Sequence, residues 1–392
     1  MSQDDAKTSD TTRLIRAGHA ASQIFKTVGP VIQRGSTVLM PNAASLYDDN
    51  LTSYGRGGLA TQAVLTSALC ELEGAVGCQL FPSGVASVTG PLLAILKAGD
   101  RLLISDSAYN PTRRFCDQVL KRYGVDVAYF PPRASPEEIM AIGGPNLTAI
   151  LIESPGSLTF EITDVPGVAA LARERGVITL VDNTWAAGLL FKPLAHGVDI
   201  SIQALTKYVG GHSDVFMGSA CAGTPAMKHK LDDAVTHMGW SVSPDDAYQM
   251  LRGLRTLPTR IAKHGQNGIV VASWLKAQPQ VVQVLHPALP DSVDHALWKR
   301  DYNGACGLFS VVLQPSSDLA VNAFLDSLTL FGLGFSWGGF ESLATSSGNQ
   351  LRKRGHHAAL AGPVVRIHVG LEDTADLIAD LEKGFAVFDQ AR

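Results

Sequence analysis

Long apolar runs, basic clusters and paired cysteines are all missing from this 392-residue chain. No stretch reaches the roughly 18 uncharged apolar residues of a membrane span, which argues against a spanning helix. Lysine and arginine total 32 against 36 acidic residues, a formal net charge of −4. The Arg113-Arg114 doublet is too short to grip a phosphate backbone, so no nucleic-acid surface is expected. The five cysteines (Cys70, Cys78, Cys116, Cys221 and Cys306) form no Cys-x-x-Cys pair. An odd number in so long a chain reads as reduced thiols of a cytoplasmic protein, mostly acting as small core residues. Met1 to Thr12 lack the apolar stretch of a secretion signal and read as a disordered tail.

What is present is ordinary for a globular protein: 46% hydrophobic, 17% charged, and 38 glycines. The length suggests two or three lobes. Residues 1–58 read as an extended N-terminal arm, irregular from Arg13 onward, with Gly29-Pro30, Pro41, Asn42 and Asn50 as turn formers. Residues 59–250 alternate short apolar strands (101–105, 125–130, 149–153, 177–182 and 199–204) with helical spacing over 111–123 and 166–175. That pattern predicts an α/β lobe, a mostly parallel sheet covered on both faces. Residues 251–392 predict a smaller α+β lobe. Its helices are expected at 244–256, 259–277 and 373–388, and its strands at 282–286, 306–313 and 364–369.

Ligands of open parallel sheets sit beyond the carboxyl ends of the strands, so the residues there come first. Strand 177–182 ends in Asp182, and strand 199–204 is followed by Thr206 and Lys207. A buried lysine near a carboxylate is most often a structural ion pair. The alternative is a Schiff base with pyridoxal phosphate, which needs an amine and an acid to keep its pyridine nitrogen protonated. Such a cofactor also needs a phosphate cup. The turn Phe81-Pro82-Ser83-Gly84-Val85 before an apolar helix offers one, with Gly84 letting the backbone approach an anion, and the Thr206 hydroxyl could add a donor. Tyr109 follows strand 101–105, either to lie over a cofactor or to pack at the surface. Arg366 in an apolar strand is either solvent-facing or a fixed fork for a carboxylate. His212 and His368 lack metal-ligand spacing, so no metal is expected and structural roles fit them better.

Several separated motifs together resemble the Cys/Met-metabolism family of pyridoxal-phosphate enzymes, fold type I: Ser53-Tyr54-Gly55-Arg56, Phe81-Pro82-Ser83-Gly84, Glu153-Ser154-Pro155, Val181-Asp182-Asn183-Thr184, Thr206-Lys207-Tyr208 and Arg366-Ile367-His368-Val369-Gly370. Within that family Glu153-Ser154-Pro155-Gly156-Ser157, Asp182-Asn183-Thr184-Trp185 and Ser336-Trp337-Gly338-Gly339 are most similar to bacterial cystathionine β-lyases. γ-Acting relatives usually carry Thr-Asn-Pro where this chain has Gly156-Ser157-Leu158.

The resemblance implies roles. Lys207 would carry the cofactor and move the Cα proton. Asp182 would pair with the ring nitrogen, and Tyr109 would stack on the ring and help deprotonation. Gly84, Val85 and Thr206 would hold the phosphate. Arg366, Ser336 and Trp337 would form the substrate pocket. Tyr54 and Arg56 would reach the site of a neighbouring subunit in a tetramer built from dimers, with Tyr54 also near its substrate. The implied reaction is β-elimination from L-cystathionine to homocysteine, pyruvate and ammonia. The alternatives are other S-substituted cysteines or a γ-acting reaction. A free lysine titrates at about 10.4, so the site must lower that value for Lys207 to act as a base. Gly57, Arg114 and Phe335 depart from the β-lyase pattern and bear on the distal end of the substrate.

Overall fold

Strand residues in the first lobe alternate between two apolar cores, and this decides its architecture. The computed structural model describes residues 8–16, 27–48, 51–356 and 359–392. The chain begins with α1 (Asp10–Arg16), α2 (Ala60–Glu73), β1 (Gly77–Phe81), α3 (Gly84–Ile95), β2 (Arg101–Ser105), α4 (Asn110–Phe115) and β3 (Asp126–Phe130). It continues through α5 (Pro136–Gly143), β4 (Leu147–Glu153), α6 (Val165–Glu174), β5 (Ile178–Asp182), β6 (Ile200–Gln203), β7 (Gly218–Ala222) and α7 (Pro225–Met238). Leu102, Ile104, Leu151, Leu180 and Ile202 pack with Val88 and Leu92 of α3 and Leu231 of α7. Their neighbours Leu103, Ile150, Ile152 and Val181 point the other way, onto Leu65 and Leu69 of α2 and Val168 of α6. Burial on both faces explains the nearly continuous apolar strands.

The sheet has seven strands in the order β1-β7-β6-β5-β4-β2-β3. All are parallel except β7, which runs antiparallel to both β1 and β6. This is the expected α/β lobe, and the five expected strands lie within two residues of the observed ones. The pattern does not disclose β1 or β7. The latter, Gly-Ser-Ala-Cys-Ala, is fully buried but holds no β-branched or aromatic residue.

Three helical expectations need correction. The helix expected over 111–123 is α4 followed by a π turn (Cys116–Leu120) and a 3-10 turn (Lys121–Tyr123), closed by Gly124 at φ +82°. The two helices expected around Pro258 are one, α8 (Pro244–Lys276), 33 residues long with Pro258 inside it. Proline forfeits a backbone donor, but buried Leu254, Leu257 and Ile261 hold the helix against the core on both sides of it. Residues 10–16, expected as tail and irregular arm, form α1, anchored by buried Leu14. From residue 27 the described part of the arm is extended, with short 3-10 turns and an isolated bridge between Thr37 and Tyr54. The rest of the arm, Asn50 included, lies outside the described residues.

Beyond α8 come β8 (Val281–Leu285), α9 (His295–Asp301), β9 (Leu308–Leu313), α10 (Asp318–Ser327), β10 (Gly332–Leu333), β11 (Leu343–Ser346), α11 (Gly348–Leu351), β12 (Val364–His368) and α12 (Thr374–Ala391). Their five-stranded sheet, β10-β11-β12-β9-β8, packs one face on α8, α10 and α12. Leu308, Val312 and Val364 on its other face join the first lobe's core.

A buried charge cluster adds a polar tie between the lobes. Asp106, just after β2, accepts from Arg113 at 2.8 Å, from Arg354 at 3.4 Å and from the His356 amide at 2.8 Å. Arg354 also meets Glu161 at 3.2 Å and bonds Thr159. All four charged side chains are buried, and their charges cancel. The second lobe is thereby fastened to the loop that carries Tyr109.

Replacing Arg354 with methionine would leave Asp106 and Glu161 short of a partner. The expected cost is about 3–5 kcal/mol, read as a lower urea midpoint. Asp106 is also held below its usual value of 3.8: burial opposes this, but the His356 amide and the Arg113 and Arg354 guanidiniums outweigh it. A depressed carboxyl contributes stability above its unfolded value and loses it as pH falls through the folded one. Acid unfolding of the Arg354→Met protein should therefore begin at higher pH than in the parent. Coincident urea and acid transitions in the two proteins would overturn this account of the cluster.

Candidate active site

β4, β5 and β6 lie side by side and finish at one level, with Glu153 in register with Asp182 and Asp182 with Ile202. Asp182 is the last residue of β5. It accepts from the Thr184 amide at 3.1 Å and the Thr184 hydroxyl at 2.5 Å. Thr184 in turn receives the Ala204 amide at 2.9 Å, which ties the end of β5 to the segment leading into Lys207. Burial pushes the Asp182 carboxyl up, while the Thr184 bonds and then the Lys207 charge pull it down.

Lys207 is half-buried. Its Nζ donates to Ser336 Oγ at 2.8 Å and stands 5.5 Å from the centre of the Trp337 ring. Burial first, then the nearby Arg366 guanidinium, bring the ammonium down to about 8, with Asp182 opposing. A sizeable fraction is then neutral near physiological pH, the condition set for a lysine base.

Arg366 is central in β12 and buried, and no carboxylate pairs with it among the described residues. Its Nη2 donates to the carbonyls of Phe335 at 2.9 Å, Ser336 at 3.1 Å and Gly334 at 3.5 Å. Burial lowers its pKa to about 10. A guanidinium fixed on one edge by backbone carbonyls keeps its remaining donors for an anionic ligand.

The 336–339 loop is held by two contacts. His368, buried and kept neutral by burial and then by neighbouring His264 at a pKa of about 3, accepts the Gly338 amide at 3.0 Å. Gly338 has φ +85°, and a Cβ there would come within 3.0 Å of the Lys207 Cα and 2.9 Å of the Tyr208 nitrogen. The absence of that carbon lets Ser336 reach Lys207. His368 therefore has the structural role expected of it.

At the other side of the pocket, α3 starts at Gly84 with Ser83 as its cap, the Ser83 hydroxyl accepting the Ala86 amide at 3.2 Å. A Cβ on Gly84 would lie 2.4 Å from the Ala204 Cβ, so glycine alone lets this turn meet the segment before Lys207. The Gly84 and Val85 amides belong to the first helical turn, where no intrahelical acceptor exists. The Thr206 hydroxyl is already engaged, donating to the Met217 carbonyl at 3.1 Å and accepting its amide at 3.0 Å. Tyr109 precedes α4, and its amide donates to Glu153 Oε2 at 2.6 Å. Burial and Glu153 keep its phenol protonated, with Arg366 opposing.

The structure thus gathers Lys207, Asp182, Tyr109, Arg366, Ser336, Trp337 and the Gly84–Val85 turn. Tyr54 and Arg56 stand on the exposed arm, with the Arg56 guanidinium 5.8 Å from the Tyr54 ring centre. Among the described residues neither is bonded to the pocket of its own chain. Gly57 has open space at its Cβ position, and Phe335 and Arg114 are exposed. Sequence reasoning had passed over Glu153 and Thr184 as chemistry. Glu153 ends a strand as Asp182 does, and that position was the available signal.

A lysine with a depressed pKa, a recessed carboxylate at the neighbouring strand end and free helix amides across the pocket form a donor set that fits pyridoxal phosphate. Together with a mostly parallel seven-stranded sheet and a second smaller sheet, they define a pyridoxal-phosphate enzyme of fold type I. The chain belongs to the Cys/Met metabolism PLP-dependent enzymes, the family that it matches over residues 11–386. It is 44% identical over 380 residues to a putative cystathionine beta-lyase of Rhizobium johnstonii, covering 96% of this chain and 95% of that one. It is 40% identical over 388 residues to cystathionine beta-lyase MetC of Escherichia coli, covering 96% and 98%. The crystal structure of cystathionine gamma synthase from Xanthomonas oryzae pv. oryzae in complex with cystathionine superposes with a TM-score of 0.90 at 30% identity, over 98% of this chain and all of that one.

Gly338→Ala tests how Ser336 is placed. The added methyl should drive the loop off Lys207 and lower kcat about tenfold or more, since small misplacements are costly. A folded variant with parental kcat would show that this contact does not place Ser336.

Proposed function

We propose that the chain is a carbon–sulfur β-lyase that splits L-cystathionine into homocysteine, pyruvate and ammonia. The observation that carries this reading is Lys207: depressed to about 8, hydrogen-bonded to Ser336, and placed between Asp182 and an Arg366 that has no carboxylate of its own. Arg366 would clamp the substrate α-carboxylate, leaving Cα before Lys207. Asp182 would hold the ring nitrogen of pyridoxal phosphate, and the Gly84 and Val85 amides its phosphate, with the Thr206 hydroxyl joining them by turning its proton away from the Met217 carbonyl. When bound, the cofactor supplies an electron sink for the carbanion left at Cα.

Lys207 Nζ takes the Cα proton, and Ser336 fixes its direction of approach. The Cβ–S bond then breaks and the sulfur leaves with the bonding pair. Tyr109, at the pocket and kept protonated by burial, is suited to donate a proton to it. The unsaturated amine released hydrolyses to pyruvate and ammonia. Ser157 favours β- over γ-chemistry. Its hydroxyl is turned onto Glu153 Oε1 at 2.5 Å, in the segment where γ-acting relatives carry an asparagine toward the ring.

The exposed Tyr54–Arg56 motif suits donation to a neighbouring copy, and we place it there, at the phosphate and substrate of that copy, in a tetramer built from dimers and working in the cytoplasm. The arm (1–58), cofactor lobe (59–250) and closing lobe (251–392) would be its functional divisions, with α8 as the spine joining the last two. No described helix is long and apolar enough to cross a membrane. Gly57, Phe335 and Arg114 make S-substituted cysteines with other distal ends the second reading. A γ-acting reaction would instead yield a 2-oxobutyrate-type product.

Incubation of the cofactor-loaded protein with L-cystathionine should yield pyruvate and homocysteine in equal amounts. Pyruvate from other S-substituted cysteines but not from cystathionine would refute the substrate, and its absence from all of them would refute the reaction. Lys207→Ala should abolish turnover while retaining cofactor through Asp182 and the phosphate cup. Arg366→Ala should raise KM about tenfold or more, because a charged contact formed on binding is lost; an unchanged KM would refute the clamp.

A further inference from the structure

Glu153 is a half-buried carboxylate of the pocket to which the proposed reaction assigns no task. It ends β4 as Asp182 ends β5, and the two are register partners in adjacent parallel strands. Such partners lie about 4.8 Å apart and present their side chains on the same face of the sheet. Both oxygens of Glu153 are engaged: Oε2 accepts the Tyr109 amide at 2.6 Å and Oε1 the Ser157 hydroxyl at 2.5 Å. Its own amide is held by Ser105 Oγ at 3.0 Å, so the residue is fixed to β2 as well.

We propose that Glu153 is a positioning residue for the pocket, working as a neutral carboxyl that fixes the Tyr109 loop and leaves Asp182 as the single negative charge at that strand edge. The inference rests on the site reading above and adds to it. Two ionised carboxylates one strand apart repel, so one of the pair keeps a proton. Asp182 receives both Thr184 donors and the Lys207 charge, which favour its ionised form. Burial and then Asp182 raise Glu153, to about 8, against its bonds to Ser157 and the Tyr109 amide and the more distant Arg354. Asp182 from β5 and Arg354 from the second lobe are the charged groups that act on it most, with Ser157, the Tyr109 amide and Ser105 of β2 as its bonded polar neighbours. Glu153 therefore holds its proton to higher pH than an ordinary glutamate and gains charge on the alkaline side; in the neutral form Oε1 carries the proton and the 2.5 Å contact runs from Glu153 to Ser157 Oγ. A second negative charge then appears beside Asp182, and the Tyr109 anchor becomes an anion.

The test compares the parent holoenzyme with Glu153→Gln and Glu153→Ala. Infrared difference spectra of protein labelled with 13C-glutamate should contain a protonated glutamic acid band that vanishes as pH is raised through 8. That band should be missing from Glu153→Gln, whereas the band of Glu73, another buried glutamate with a raised pKa, should persist. The readout needs no substrate, so it separates this inference from any failure of the lyase reading. In turnover at pH 7, Glu153→Ala should lose about tenfold in kcat through a misplaced Tyr109. Glutamine, a neutral isostere able to accept one bond, should recover most of that loss. The alkaline limb of the parent's pH profile should also flatten in Glu153→Gln. A glutamate ionised throughout pH 6–9, or a glutamine variant as impaired as the alanine one, would overturn the proposal. Should the alanine variant fail to fold, the spectra of the other two proteins decide the matter.

Discussion

The level at which β4, β5 and β6 stop is the constraint on which the rest of the site depends. Parallel strands in register deliver their last residues side by side, and here β4 and β5 end in acids, with Lys207 in the turn just beyond β6. Nothing in the strands themselves repays the cost of holding carboxyls and an ammonium near the protein's interior. The compensation comes from groups arriving afterwards: Thr184 onto Asp182, Ser157 and the Tyr109 amide onto Glu153, and Ser336 from the other lobe onto Lys207. Glycine appears where these partners must come close. Gly84 lets the first turn of α3 meet Ala204, and Gly338 lets the Ser336 loop lie against the backbone of Lys207.

The electrostatics of the pocket follow from this crowding. Arg366 depresses Lys207, while Asp182 and Glu153 oppose one another a strand apart. The cations have fewer carboxylate partners than a purely structural cluster would give them. The Asp106–Arg113–Arg354–Glu161 cluster shows what a closed solution looks like: four charges, mutually paired and buried. The two clusters differ in this: one is closed on itself, whereas the pocket's cations keep donors to spare, as the proposed clamp on an anionic substrate requires.

Much of this was legible in the chain, for a physical reason. Strands buried on both faces write themselves as runs of Ile, Leu and Val, so β2, β4 and β5 stood out, and the rule about strand ends then led to Asp182 and Lys207. Arg366 showed as an arginine in an apolar strand, and motif resemblance added Ser336 and Trp337, whose separation in the chain hides their meeting with it. β7 escaped because its buried residues are small. Pro258 misled because a helix break is a local rule, whereas α8 is held by the core on either side. Glu153 was visible as a strand-terminal acid, but its protonation belongs to the pair with Asp182, and no single position announces a pair. Arg354 was illegible altogether, since its partners are set by the folded path and not by spacing.

That last arrangement bears on the order in which the chain can mature. Arg354 and Asp106 are 248 residues apart, Arg354 and Glu161 are 193 apart, and Ser336 and Lys207 are 129 apart. During synthesis the whole parallel sheet leaves the ribosome well before Arg354 has been added. Until then Asp106 and Glu161 lack one cation, the Tyr109 loop lacks its brace, and Lys207 stands without Ser336. Lys207 thus gains its full set of contacts only near the end of translation, and a nascent or truncated chain holds a sheet without the finished pocket.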